Sequence, residues 1–184
     1  LKGALMNIFL FGFKKCGKTY FGMKVAQKLH RDFIQSDHLI EQLYTAEYHQ
    51  TLSYRDIAKK HGFAFFRELE KNAVSLMVQK RQSVFSLGGG VVLDPENVMR
   101  LQQVGTLIYL KAPKAVLKTK ILTGEIPHYL DPQHPSESFE KLYQERTPLY
   151  EKVPAHVIDT ENKSEEAILK EVLVLAEKKR RHHP

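Results

Sequence analysis

With 184 residues, 42% of them hydrophobic and 27% charged, the chain is long enough to bury a real core as one globular domain, and a fibrous or disordered chain is excluded. No apolar run reaches membrane-span length, no secretory signal is expected, and a single cysteine rules out a disulfide within the chain, which fits a reducing cytoplasm and no membrane partner. The net charge of +7 raises the question of nucleic acid, but part of the excess sits in Lys178, Lys179, Arg180 and Arg181, and no basic stretch is interleaved with aromatics. Attraction of anionic small substrates is the plainer reading, with no nucleic-acid partner and a monomer as the default.

Residues 1–5 precede Met6 and are set aside as an extension. Residues 6–11 (MNIFLF) form a short apolar run of buried-strand type, and residues 19–30 can form an amphipathic helix. Between them lies Gly12-Phe-Lys-Lys-Cys-Gly-Lys-Thr19, which fits the phosphate-binding pattern G-x-x-x-x-G-K-[ST]. Gly12 and Gly17 permit a tight turn whose N–H groups face a phosphate chain, with Lys15 and Cys16 in the same loop. Lys18 then reaches the β- and γ-phosphates of ATP, and the Thr19 hydroxyl takes a place on Mg²⁺. Cys16 beside a helix N-terminus is expected to be a modifiable thiol, not a catalytic one.

A second strand is expected over residues 33–36, a short helix over 53–61 opened by a Ser53/Asp56 capping box, and a longer helix over 62–80. The apolar face of that helix is Phe66, Leu69, Ala73, Leu76 and Met77. A strand over 83–87 runs into Gly88-Gly89-Gly90. Helix 95–103, strand 106–111 and helix 113–122 follow. Residues 123–135, punctuated by Gly124, Pro127, Pro132 and Pro135, form a long loop, either a functional segment such as an active-site lid or a disordered surface excursion. Helix 139–150, strand 156–159 and helix 164–179 complete the chain. The alternation predicts an α/β fold: a three-layer α/β/α sandwich on a five-stranded parallel sheet, in one domain over 1–184.

Asp37 follows the second strand, where a parallel sheet delivers residues to the crevice at its carboxyl edge. It is placed either to accept a proton from a substrate hydroxyl or to cap a helix over 38–45. Arg67 and Glu70, three apart on one helix, form either a surface ion pair or a guanidinium held ready for a substrate carboxylate. The three glycines at 88–90 exceed what a tight turn needs and let a ligand approach backbone N–H groups. Arg146, near a helix end, can cover phosphates or a carboxylate. The nine histidines show no metal-ligand spacing.

Taken in order, these segments resemble the shikimate kinases, members of the nucleoside monophosphate kinase-like phosphate-loop group. Residues 12–19 look like the family's phosphate loop. Ser36-Asp37 resembles its strand-end aspartate segment, and Phe66-Arg67-Glu68-Leu69-Glu70 its F-R-x-x-E helix. Leu87-Gly88-Gly89-Gly90 resembles the triple-glycine turn, Arg146-Thr147-Pro148-Leu149-Tyr150 the R-x-P-L-Y segment, and Asp159-Thr160 the final D-T. The resemblance implies ATP-dependent phosphorylation of the 3-hydroxyl of shikimate, with ATP and Mg²⁺ as cofactors. It implies a substrate-binding region over 37–80, Asp37 as proton acceptor, and Arg67 and Arg146 as a carboxylate clamp completed by the backbone of Gly88, Gly89 and Gly90. Lys18 and Arg146 join Asp37 in the catalytic set, and 123–135 is the lid. Related kinases for gluconate or a nucleoside monophosphate, and an ATP-binding homologue without turnover, are the rival readings.

Three positions depart from the family pattern. Gln35 stands where an aspartate is usual, Lys15 where glycine is common, and Ile126 where the lid carries an arginine before Pro127. The phosphate contact of that arginine is either vacant or passes to Lys118, Lys120 or His128.

Overall fold

The computed structural model describes residues 6–177 except 125 and 128. Residues 1–5, His128 and the basic run from Lys178 to Arg181 therefore lie outside the described residues. Five parallel strands form one sheet in the order β2-β3-β1-β4-β5: β1 (Asn7–Phe11), β2 (Phe33–Gln35), β3 (Val84–Ser86), β4 (Gly105–Lys111) and β5 (His156–Asp159). Seven helices among the described residues accompany them: α1 (Lys18–Leu29), α2 (Ser36–Tyr48), α3 (Tyr54–Met77), α4 (Pro95–Val104), α5 (Lys114–Leu122), α6 (Pro135–Lys152) and α7 (Glu165–Glu177). This is the expected α/β/α architecture, and the strands begin and end within two residues of their expected limits.

The central strand is buried on both faces, as a parallel sheet covered by helices requires. All five residues of β1 are buried, and Phe9 stacks on Phe85 of β3 with ring centroids 4.9 Å apart. Its first residue is polar for a reason. Asn7 is fully buried; its Nδ2 donates to the Lys80 carbonyl at 2.8 Å and its Oδ1 accepts from the Ser83 N–H at 3.0 Å. The amide thus ties the start of β1 to the segment entering β3 and fixes the register Ile8–Val84.

The expected helices over 53–61 and 62–80 are one segment, α3, bent at Gly62, whose φ of 84° and ψ of 173° are non-helical. Only glycine adopts that conformation without strain. The capping box is present: Ser53 Oγ accepts from the Asp56 N–H at 3.2 Å and donates to its carboxylate at 2.6 Å. Beyond the bend, Phe66, Leu69, Ala73 and Met77 are buried as expected. Val74 takes the fully buried place expected of Leu76, and Glu70 is buried beside them.

Replacing Asn7 with Leu should leave the Ser83 N–H and the Lys80 carbonyl without partners in a dry environment. An unfolding free energy lower by about 2–4 kcal/mol is expected in urea titration, since each orphaned buried polar group costs roughly 1–3 kcal/mol. A change below about 0.5 kcal/mol would show that the amide does not secure the register.

Candidate active site

The connections after β1, β2 and β3 all leave the carboxyl edge of the sheet, and there they enclose a cleft of roughly 640 Å³. One half is the phosphate loop. Gly12 approaches so closely that a Cβ there would lie 2.6 Å from the Leu110 carbonyl oxygen, and Gly17 takes φ 104° to start α1. Lys15 also has positive φ, 69°, where a side chain costs about 1–2 kcal/mol. Lys14, Lys15 and Lys18 line this end of the cleft, joined by Lys120 from α5. Lys18 Nζ donates to the carbonyls of Gly12 and Phe13 at 2.9 and 2.8 Å, so its charge lies folded along the loop it serves.

Lys118 sits elsewhere. Its ammonium pairs with Glu140 Oε1 at 3.0 Å, and Lys114, one turn earlier, pairs with the same carboxylate. Lys118 and Lys120 are two residues apart on a helix and so point to nearly opposite sides, which makes Lys120 the α5 lysine at the cleft. The expectation for Cys16 is also corrected. Its thiol is 5% exposed, packed under the loop, with Lys18 Nζ 3.8 Å away, and is not open to a modifying reagent.

Thr19 Oγ1 lies 3.3 Å from Gln35 Oε1 and 3.5 Å from Ser86 Oγ. These are three neutral oxygens at the phosphate end, with no cluster of three metal-binding acids, histidines or cysteines among the described residues. Such a donor set fits Mg²⁺ held chiefly by a nucleotide's own phosphates, the ion's usual mode.

The other half is organised by the triple glycine. A Cβ at Gly88 would lie 2.8 Å from Asp37 Oδ1, and one at Gly90 would overlap the Arg67 guanidinium. At Gly89 it would stand 3.0 Å from the Tyr150 hydroxyl and 3.2 Å from Arg146 Nη1. Each glycine is therefore matched to a polar side chain that needs its space. Ser36, fully buried, accepts from the Gly88 N–H through Oγ at 2.7 Å, and Tyr150 donates to the Gly89 carbonyl at 2.7 Å. Both hydroxyls anchor the turn, yet neither carries a signal beyond its motif that marks it in the sequence.

Asp37 lies in the first turn of α2, whose N-cap is Gln35, so the capping alternative is set aside. Burial, opposed by Lys18 and the Ser36 hydroxyl, holds its carboxyl above the usual aspartate range. Arg67 and Glu70 form a close ion pair that is no surface feature, since the Glu70 side chain is 4% exposed against 35% for Arg67. Burial likewise raises the Glu70 carboxyl, with Arg67 the main opposing charge. Arg146 reaches the same end from α6 and lies beside the Tyr150 hydroxyl, whose pKa it lowers against the effect of burial. Among the described lining residues, six cations face three carboxylates (Asp37, Glu41 and Glu70), and Asp37 and Glu70 both resist ionisation. The cleft is built for anions at both ends.

Comparison with known proteins agrees with this arrangement. A family profile described as shikimate kinase matches residues 14–177. The chain is 37% identical over 170 residues to the shikimate kinase of Caldanaerobacter subterraneus subsp. tengcongensis, covering 92% of this chain and 95% of that one. It is 34% identical over 169 residues to the shikimate kinase of Thermodesulfovibrio yellowstonii, covering 92% and 94%. Among solved structures, shikimate kinase from Acinetobacter baumannii in complex with shikimate superposes with a TM-score of 0.80 at 27% identity, over 93% of this chain and 92% of that one. The sheet order, the phosphate loop and these matches over nearly the whole described chain lead to one conclusion: the protein belongs to the shikimate kinase family.

Proposed function

We propose that the protein transfers the γ-phosphoryl group of ATP to the 3-hydroxyl of shikimate, giving shikimate 3-phosphate in aromatic amino-acid biosynthesis, as a single cytoplasmic domain. The observation that supports the reading is that two arginines, Arg67 and Arg146, and one carboxylate, Asp37, stand around the glycine turn opposite the phosphate loop. A small hydroxy acid has the two groups this half can bind: a carboxylate for the guanidiniums and a hydroxyl for Asp37. The backbone of Gly88, Gly89 and Gly90 forms the wall between them.

In the reaction, Asp37 accepts the hydroxyl proton as the acceptor oxygen attacks the γ-phosphorus, and the bond to the β-phosphate oxygen breaks. Lys18 exchanges its loop carbonyls for phosphate oxygens and follows the charge toward the leaving group. Lys15, with Lys120 rather than Lys118, adds positive charge along the phosphates. Mg²⁺, held by the nucleotide and Thr19, would supply further neutralisation of the β- and γ-oxygens. Arg67, fixed by Glu70, orients the acid so that its hydroxyl points along the line of transfer.

A coupled ADP-release assay with Mg-ATP and shikimate, run beside gluconate, AMP and no acceptor, tests the proposal. Shikimate-dependent turnover is expected. Turnover with another acceptor would overturn the substrate assignment, and ATP binding without turnover on any would overturn the enzymatic one.

Replacing Asp37 with Asn should cut turnover by at least about a hundredfold while leaving ATP affinity unchanged. The same change should raise Tm at neutral pH. A carboxyl whose pKa is raised on folding binds its proton more tightly in the folded state. Its contribution is therefore most favourable below the unfolded pKa and is lost as pH rises through the folded one. For the same reason the acid limb of kcat/KM should fall at a higher pH than an ordinary aspartate gives. A limb in the ordinary range, or an unchanged Tm, would contradict the burial of this charge.

Replacing Arg67 with Ala removes one charge-assisted contact and should raise KM for the acid substrate about ten- to a hundredfold, with KM for ATP within about twofold. Equal losses for both substrates would return Arg67 to a purely structural role.

A further inference from the structure

The segment between α5 and α6 is polar at its tip and contains neither lysine nor arginine over residues 123–134. Ile126 packs against the core, and Pro127 and Leu130 are buried. The Leu130 N–H donates to the Pro127 carbonyl at 2.9 Å, closing a turn, and the Asp131 N–H donates to Ser138 Oγ at 3.0 Å, pinning the segment to the first turns of α6. Of its described residues, only Tyr129 lines the cleft. The Arg146 guanidinium carbon lies 5.6 Å from the centroid of the Tyr129 ring.

Arg146 also lies beside the Tyr150 hydroxyl, which is committed to the Gly89 carbonyl at 2.7 Å. Arg146 therefore has two tyrosine neighbours, a ring from the lid segment and a hydroxyl fixed on the glycine turn. Glu70, a buried acid whose carboxylate Arg146 also stabilises, is already taken by Arg67. Among the described residues Arg146 has no ion pair, and the π-face of a tyrosine can hold a long guanidinium side chain in place without neutralising its charge.

We propose that Tyr129 is a positioning residue: the lid segment acts on the reaction through the Tyr129 ring, which holds Arg146 in place for the acceptor's anionic group. This rests on the acceptor-binding role proposed for Arg146. The lid of this chain is thereby coupled to the acid substrate through an aromatic contact, with no lysine or arginine of its own over residues 123–134.

The test compares Tyr129→Leu and Tyr129→Phe in steady-state kinetics with shikimate and ATP, with Tm measured alongside. Tyr129→Leu should raise KM for shikimate about five- to thirtyfold, the range of a partly desolvated cation–π contact, with KM for ATP within about twofold. Tyr129→Phe keeps the ring face and should restore KM for shikimate to within about threefold of the original. A merely structural role would instead lower Tm and weaken both substrates together. An unchanged KM for shikimate in Tyr129→Leu, or equal damage in Tyr129→Phe, would overturn the inference. Crystal structures of the original protein and Tyr129→Leu supply a readout independent of turnover. Arg146 should leave its place beside Gly89 in the variant, and an unmoved Arg146 would overturn the inference. Should the original protein fail to phosphorylate shikimate, the proposed function falls, while the position of Arg146 still decides whether Tyr129 holds it.

Discussion

The half of the cleft opposite the phosphate loop depends on a stretch of backbone without side chains. At 88–90 the chain leaves β3, and the carboxylate of Asp37, the guanidinium of Arg67 and the Arg146–Tyr150 pair each occupy space that a Cβ would take. Ser36 and Tyr150 hold the turn from opposite sides, by the Gly88 N–H and the Gly89 carbonyl. Four elements (α2, α3, β3 and α6) thus converge on one fixed surface. A single added methyl there would displace a charged group, while the same methyl at Gly62 would meet nothing within 4 Å.

The charges of the cleft follow from what surrounds them. Glu70 sits almost fully buried next to Arg67 and orients the guanidinium at the cost of its own solvation, which is why its pKa is raised. Arg146 has an aromatic face and a hydroxyl instead. The two arginines are therefore steadied by different chemistry, one by a buried acid and one by tyrosines, and both retain positive charge toward the cavity. Lysines dominate the opposite end, where flexible cations suit a phosphate chain that changes position during transfer.

Much of this was legible in the sequence where the determining forces are local. The phosphate loop is set by glycine spacing and one lysine, the strands by short apolar runs, and the start of α3 by a serine three residues before an aspartate. The rest needed the third dimension. Lys118 and Lys120 are indistinguishable by composition, and only the rotation of α5, with Glu140 waiting on α6, sends one away from the cleft. Cys16 has the flanks of a reactive thiol but is packed beneath its loop. Glu70 falls on the helical face set by Phe66, Leu69 and Ala73, but its charge hides its burial, and the meeting of Tyr129 with Arg146 joins two elements, a contact no periodicity records.

The central claim is that the acceptor half is built around a missing negative charge which the substrate's carboxylate supplies. The most direct measurement is calorimetric binding of shikimate and of its uncharged methyl ester, each in the presence of a non-hydrolysable ATP analogue. The account predicts that the ester binds at least about tenfold more weakly, because the guanidiniums of Arg67 and Arg146 then lose their charged partner. Equal affinity for acid and ester would contradict it, and would leave the two arginines without the role that the glycine turn gives them.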